Sequence, residues 1–279
     1  MLDKFQTIAG NIVTATPLSD LNPIWMASGA SVLVNSETRG ERCVSIDDKF
    51  FISYRKTVIC PDEVICGIWI PFTKKDEQFM AYKQSQRRED DITIVSGAFA
   101  ARIDAVNRKI SDIRMAFSGV APLTKMATQT QQKLSGRIWN KELLHDARVE
   151  LREEFQLAAG VPGGMERYRQ ALVLSLFTKF FIHISQKLQP SMKNEGILTC
   201  TGDAGEELRA TQIHQAVPYA QAVADPVGRP VMHQSGVKHT TGEAAYCDDY
   251  CPKGLLFSIP WKTGCLHADP QSSLKIGAH

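Results

Sequence analysis

Residues 7–23 read TIAGNIVTATPLSDLNP, which brings together Thr7, Gly10, Asn11, Thr14, Thr16, Ser19, Asp20 and Asn22. No side chain in the stretch is a strong nucleophile or general base. It contains neither a GxxxxGK[ST] phosphate loop nor a GxGxxG dinucleotide turn. The remaining chemistry is that of a cradle. A glycine allows close backbone approach, hydroxyls and amides donate to anionic oxygens, and Asp20 accepts from sugar hydroxyls. The plain alternative is a surface turn whose Ser, Thr and Asp groups cap the local backbone. On residue types alone both readings stand, and either way the stretch is expected to be a loop.

A second candidate is Arg87-Arg88-Glu89-Asp90-Asp91, five charges just after Lys83. Such a run is either a solvated loop or a mobile electrostatic element beside a charged ligand. Cys247, Cys251, Cys265 and His267 can be drawn as four zinc ligands, but their spacing is not a zinc pattern. His183 lies in an apolar stretch and reads as a core histidine. Cys60 and Cys66 fall in a strand-like region and are expected to be buried thiols. No Ser/His/Asp or Cys/His arrangement is supported by spacing, and no carboxylate pair suggests a hydrolase.

The bulk properties set bounds on these candidates. The 279 residues are 43% hydrophobic and 22% charged, an ordinary globular composition. Thirty-two basic and thirty acidic residues leave a net charge of +2, which gives no general attraction to nucleic acid or anionic membranes. Seven scattered cysteines and no secretory signal at MLDKFQTIAG point to reduced thiols in the cytoplasm. ALVLSLFTKFFIHI (171–184) is broken by Lys179 and is shorter than the ~20 residues a bilayer span needs, so it is expected to be a core helix.

The elements that must position the candidates follow from periodicity. SVLV, KFFISY and EVICGIWIPF read as strands over 24–73. ITIVSGAFAARI (92–103) and ISDIRMAFSG (110–119) read as an antiparallel pair, with Ile113, Met115 and Phe117 on one packed face. In WNKELLHDARVELREEFQL, Leu143, Ala147, Leu151 and Phe155 recur every four residues, which predicts a helix. AAGVPGG stops it, and a second helix runs to about Leu188, apolar almost all round and so buried against the first helix and the sheet. From Gln189 the periodicity fades. Residues 189–228 read as a linker, and the rest is too short for an independent core.

Beyond these readings there is a resemblance. Thr7-Ile8-Ala9-Gly10-Asn11-Ile12 followed by Ser19-Asp20-Leu21-Asn22-Pro23 resembles the second flavin-contacting loop of the molybdenum hydroxylases, the xanthine dehydrogenase and aldehyde oxidase family. FFISYRKT (50–57), YKQSQRREDD (82–91), PGGM (162–165), LVLSLFTKFF (172–181) and GRPVMHQSGVKHTTGEAAYCDD (228–249) are similar to family segments in order and spacing. Coverage runs from about residue 6 to residue 252.

The resemblance implies an α+β fold in four parts. Residues 1–76 would end a PCMH-type FAD-binding domain. Residues 77–188 would be an antiparallel sheet with helices, like the CO dehydrogenase flavoprotein C-terminal domain. The linker 189–228 and the start of a molybdopterin-binding (hammerhead) domain, 229–279, would follow. It also implies FAD as cofactor, contacted by Asn11, Thr14 and Asp20, by Ile65 through its backbone, and by Lys83 as a cation near the flavin ring. Thr7 and Thr16 stand where the family often shows Ser, and Ala9 replaces a common Gly. The charged run 87–91 would lie on the acceptor side and govern access of NAD. Aldehyde oxidases commonly lack the second Arg and the Asp pair, so the run favours the NAD-using branch over an oxygen-using one. The implied parent is a cytoplasmic homodimer that oxidises purines with molybdopterin and 2Fe-2S centres, with no nucleic-acid or membrane partner. The cysteine runs of the iron–sulfur domains, the earlier half of the FAD domain and the molybdenum-site residues have no counterpart in the sequence. From Gly254 onward the similarity stops. The chain is therefore expected to be part of such an enzyme and, alone, to bind FAD weakly or not at all and not to oxidise purines. The alternatives are an aldehyde oxidase segment and a non-catalytic truncated product.

Overall fold

The polar opening stretch, expected as a loop, is mostly helical in the computed structural model, which describes residues 7–87, 91–188, 217–229 and 232–250. α1 spans Ile8–Thr14 and α2 spans Asn22–Ser28. Two of the residues that suggested a loop lie at the starts of these helices. Thr7 is the N-cap of α1, and its hydroxyl accepts from Gly10 N at 3.0 Å. That satisfies one of the N–H groups a first helical turn leaves over. Pro23 occupies the first turn of α2, where its missing N–H costs nothing. Ile12, Trp25, Met26 and Ala27 are buried, and their burial overrides the low helix propensity of a Thr- and Gly-rich stretch.

The chain divides into two units, Met1–Glu207 and Leu208–His279. After α2 the first unit builds β1 (Ser31–Ser36), β2 (Gly40–Ser45), the small hairpin β3 (Phe51–Ser53) and β4 (Lys56–Thr57), and β5 (Val64–Trp69). β1 lies between β2 and β5 in an antiparallel sheet. One face, with Val32, Val34, Val44, Ile65 and Ile68, joins a core with Ile12, Trp25, Met26 and Ala27. On the other face Val64 and Trp69, opposite Asn35 and Ser31, are exposed. The register shifts between Leu33 and Val34, and Cys66, beside that irregularity, is exposed. The expected buried thiol is therefore corrected. Cys60 sits in the turn before β5, half-buried.

A second sheet follows, ordered β6 (Glu77–Gln84), β7 (Val95–Ile103), β8 (Ile110–Ser118) and β9 (Lys125–Met126), all antiparallel. α3 (Thr128–Leu134), α4 (Lys141–Glu154) and α5 (Glu166–Leu188) complete the unit. Asn140 caps α4 by accepting from Leu143 N at 2.9 Å. The period-two reading of β7 and β8 accounts for one face. Phe99, Met115 and Phe117 pack with Leu143, Ala147, Leu151, Phe155, Phe177 and Phe180. The opposite face is also covered. Ala98 and Ala116 are small enough to let α2 lie directly on the sheet and belong to the N-terminal core. α5 is long and apolar enough to cross a membrane by length and composition. Its buried residues, including Phe177, Phe180 and Ile184, instead pack against the sheet and α4 as expected. Its His183 is half-buried.

Gly119, which follows β8, has φ 87°, and a Cβ there would stand 2.0 Å from Ile94 O. Only glycine fits so close an approach. In the second unit the described residues form turns over 217–229, a short helix α6 (Gly236–Thr241) and a 3-10 turn at Cys247–Asp249, and the residues of α6 are not buried. Cys251, Cys265 and His267 lie outside the described residues, as does most of the expected linker.

Candidate functional site

β6 and β7 pair with Lys83 opposite Ser96, and β7 and β8 pair with Ser96 opposite Ser118. The two serine hydroxyls are 2.7 Å apart and lie 2.9 and 2.7 Å from Ser19 O. They hold the segment between α1 and α2 against the sheet. Gly119 N donates to Pro17 O at 2.7 Å and holds it a second time. Asp20 is thereby brought to Lys83, and Lys83 Nζ donates to Asp20 Oδ2 at 2.6 Å. Both side chains remain about a quarter exposed. Lys83 Nζ also donates to Asp91 O at 2.7 Å, so one ammonium joins the opening stretch, β6 and the charged run.

Within that run Arg87 N donates to Asp91 Oδ2 at 2.7 Å and Ile92 N donates to Asp91 Oδ1 at 2.9 Å. The Arg87 guanidinium is 3.8 Å from the same carboxylate. These groups, the Arg87 N–H first, hold the Asp91 carboxyl below the ordinary carboxylate range. Arg88, Glu89 and Asp90 lie outside the described residues.

The other candidates from the opening stretch are engaged locally. Asn11 is buried, and its Oδ1 accepts from Ser19 Oγ at 2.8 Å. Ser19 Oγ in turn accepts from Asn22 N at 3.0 Å. Thr14 Oγ1 donates to Gly10 O at 2.6 Å, and Thr16 Oγ1 accepts from Leu18 N at 3.3 Å. Thr7 caps α1. In this respect the backbone-capping alternative describes the stretch. Ile65 lies on β5, in the other sheet, with its side chain against the N-terminal core. Thus Asp20, Lys83, Asp91 and Arg87 come together, Asn11 supports them through Ser19, and Ile65 belongs to a separate strand.

Sequence reasoning named Ser19 and Asn22 only as members of the polar stretch and did not single out Ser96 or Ser118. The two strand serines act through strand register, which no linear spacing displays. Asn22 is fully buried, yet neither atom of its amide has a hydrogen-bond partner. An orphaned amide two residues from Asp20 is unusual, because buried polar groups are normally paired. A part-exposed ammonium as donor, a carboxylate as acceptor and an unsatisfied amide make a polar set that fits a nucleotide cofactor such as FAD, with the Thr hydroxyls of the stretch holding its backbone in shape. Among the described residues no group of three or more His, Cys, Asp or Glu is placed to hold a metal ion.

Comparison with known proteins agrees with this architecture. Residues 4–73 match the family described as FAD binding domain in molybdopterin dehydrogenase, and residues 80–184 match the CO dehydrogenase flavoprotein C-terminal domain. The chain is 41% identical over 252 residues to xanthine dehydrogenase/oxidase of Gallus gallus, covering 87% of this chain and 18% of that protein. It is 38% identical to xanthine dehydrogenase of Calliphora vicina, covering 87% of this chain and 19% of that protein. It therefore spans about a fifth of the length of the relatives it matches. Among solved structures, carbon monoxide dehydrogenase of Hydrogenophaga pseudoflava aligns with TM-score 0.55 and 23% identity, over 61% of this chain and 57% of that one. Quinoline 2-oxidoreductase of Pseudomonas putida 86 aligns with TM-score 0.54 and 18% identity, over 64% and 60%. At that level of identity the structural likeness concerns the fold alone. The chain belongs to the xanthine dehydrogenase family of molybdenum hydroxylases, as a segment of the FAD-binding domain joined to a flavoprotein C-terminal domain.

Proposed function

We propose that this chain supplies the electron-output end of a xanthine dehydrogenase-like oxidoreductase, where electrons taken from a purine leave through FAD to NAD. The observation that carries the reading is the Lys83 ammonium held between Asp20 and the Asp91 carbonyl. It supports a site at which the opening stretch, β6 and the acceptor-side run serve one ligand. Lys83 would hold a positive charge beside the cofactor, and Asp20 would accept from a sugar hydroxyl. Thr7, Asn11, Thr14 and Thr16 would shape the phosphate and ribose side, and Ile65 would present backbone at the ring edge. FAD, when bound, accepts and releases electron pairs as a hydride equivalent. The charge of 87–91 would tune access of an anionic dinucleotide. Earlier steps at molybdopterin and 2Fe-2S centres belong to the rest of the parent, read as a cytoplasmic homodimer. The Asp pair at 90–91 favours NAD over oxygen as acceptor.

The test uses the full parent enzyme. Lys83→Met is expected to lower flavin retention about tenfold, the worth of one charge-assisted contact. Asp90→Asn with Asp91→Asn is expected to change kcat/KM for NAD about fivefold and to alter NAD use more than flavin retention. Full flavin content in Lys83→Met would remove the site. Unaltered NAD kinetics in the double variant would remove the acceptor role.

A further inference from the structure

α4 and α5 border an open cavity of about 590 Å³ that has no part in the reading above. That volume falls within the range of small-molecule sites, ~300–1,000 Å³. Its floor is apolar: Trp139, Leu144, Phe181, Ile182 and Leu188 line it. The aromatic part of the floor is fixed in place. Trp139 stacks on Phe181 with ring centroids 5.0 Å apart, and its Nε1 donates to Ser185 Oγ at 3.1 Å.

The charges around this floor are all of one sign. Arg108, Lys141, His145 and Arg148 line the cavity, and no carboxylate does. Lys141, Leu144, His145 and Arg148 stand at i, i+3, i+4 and i+7 of α4, one face of a helix. Three of the five acids of α4 are engaged elsewhere, and Glu142 and Glu153 do not line the cavity. Asp146 pairs with Arg137 at 2.7 Å, Glu150 pairs with Lys133, and Glu154 accepts from Gln129 N and Thr130 N. Among the described residues Lys141, His145 and Arg148 are in no ion pair. An ordinary solvated helix face mixes its charges, whereas this one segregates them. A further polar group adds to the pattern. Gln186 lines the same cavity, and its Nε2 is buried without a hydrogen-bond partner. An amide donor left unsatisfied beside an apolar floor is costly unless something accepts from it.

We propose that this groove is a binding site for a small amphipathic organic anion, an apolar body of aliphatic or aromatic carbon carrying one carboxylate or sulfonate. The body lies on the Trp139–Phe181 floor, the anionic head faces the α4 cations, and the Gln186 amide donates to one of its oxygens. Charge complementarity selects the anion, and the cavity's size and apolar lining select the body.

The purified chain is titrated calorimetrically with decanoate and, as a neutral match, with decanol. Decanoate is expected to bind about tenfold more tightly than decanol, with the difference shrinking as salt is raised. His145→Glu with Arg148→Glu, both exposed, is expected to abolish that preference and leave the circular dichroism unchanged. Ile182→Trp is expected to block both ligands by filling the floor. Equal binding of decanoate and decanol would overturn the proposal. So would a preference that survives the double charge reversal. Failure of both ligands to bind, with sedimentation showing dimers that Ile182→Trp dissolves, would assign the groove to a second copy of the chain and overturn it as well.

Discussion

The two larger sheets of the first unit are built from similar strands and treated very differently. The β6–β9 sheet is covered on both faces, by α4 and α5 on one side and α2 on the other. The β2–β1–β5 sheet is covered on one. Its other face and the segment after it expose Val64, Trp69, Ile70 and Phe72. A covered sheet draws its stability from its own core, whereas a half-covered one leaves hydrophobic area in water that only a partner would remove. The candidate site sits where the two regions meet. Lys83 comes from the covered sheet, and Asp20 comes from the segment that ties the N-terminal helices to it. The rigid half therefore fixes the cation, and the N-terminal region brings the carboxylate.

The largest expected effect tests this contrast directly. Phe180 is fully buried and packs on Phe99 with centroids 5.1 Å apart. Phe180→Ala removes a ring from the middle of the larger core and is expected to cost about 3–5 kcal/mol. Trp69→Ser, on the open face, is expected to stay within about 0.5 kcal/mol. Urea denaturation of the chain compares the two variants. A cost at Trp69 close to that at Phe180 would mean that the open face is covered in solution.

Gly119→Ala comes next. Its Cβ would meet Ile94 O at 2.0 Å on a backbone already at φ 87°. The carbonyl cannot rotate away cheaply, because Ile94 N also donates to Gln84 O at 2.8 Å and holds that edge of β6. The expected loss is about 2–4 kcal/mol from backbone strain and overpacking together. Because Gly119 N also donates to Pro17 O, the same change should loosen the Ser19 anchor and weaken the Asp20–Lys83 pair. Cooperative loss of both regions in one denaturation transition would show that the junction couples them. A second transition of the N-terminal region alone would show that it does not.

How much of this was legible follows the same division. The covered half announced itself. Ile113, Met115 and Phe117 keep period two, and Leu143, Ala147, Leu151 and Phe155 keep the helical period, because each face sees one kind of environment. β6 was not read as a strand, since its residues are half-buried or exposed and none is fully buried. α1 was not read as a helix because its seven residues are held by a Thr7 cap and by burial of Ile12, while propensity argued for a loop. At the site, the residue types of Asp20 and Lys83 and their family-like contexts were visible, but their meeting was not. It depends on Ser96 standing opposite both Lys83 and Ser118, a fact of register across three strands. Asn22 was visible as one more polar residue of the stretch, but its orphaned amide was not, since an orphan is defined only by what surrounds it.

The smallest expected effect belongs to the N-terminal region and separates it by pH. Glu63 is gripped by Arg42 through Nε at 2.6 Å and Nη2 at 2.8 Å, and its Oε2 also accepts from Cys60 N at 2.7 Å. The forked guanidinium first, and the Cys60 N–H second, lower its pKa to about 2. An unfolded glutamate titrates near ~4.3. A carboxyl whose folded pKa is depressed contributes stability that is complete above the unfolded value and drains away as pH falls toward the folded one. The grip therefore holds fully near neutrality, fades below ~4.3 and is gone at about 2. Glu63→Gln lacks it throughout. The Tm difference between the two proteins should be greatest near about pH 6 and should close by about pH 2. A gap that stays constant across that window would mean the Arg42 fork does not hold Glu63 in solution. The β2–β1–β5 sheet would then be looser than its geometry implies, and the contrast with the covered sheet sharper still.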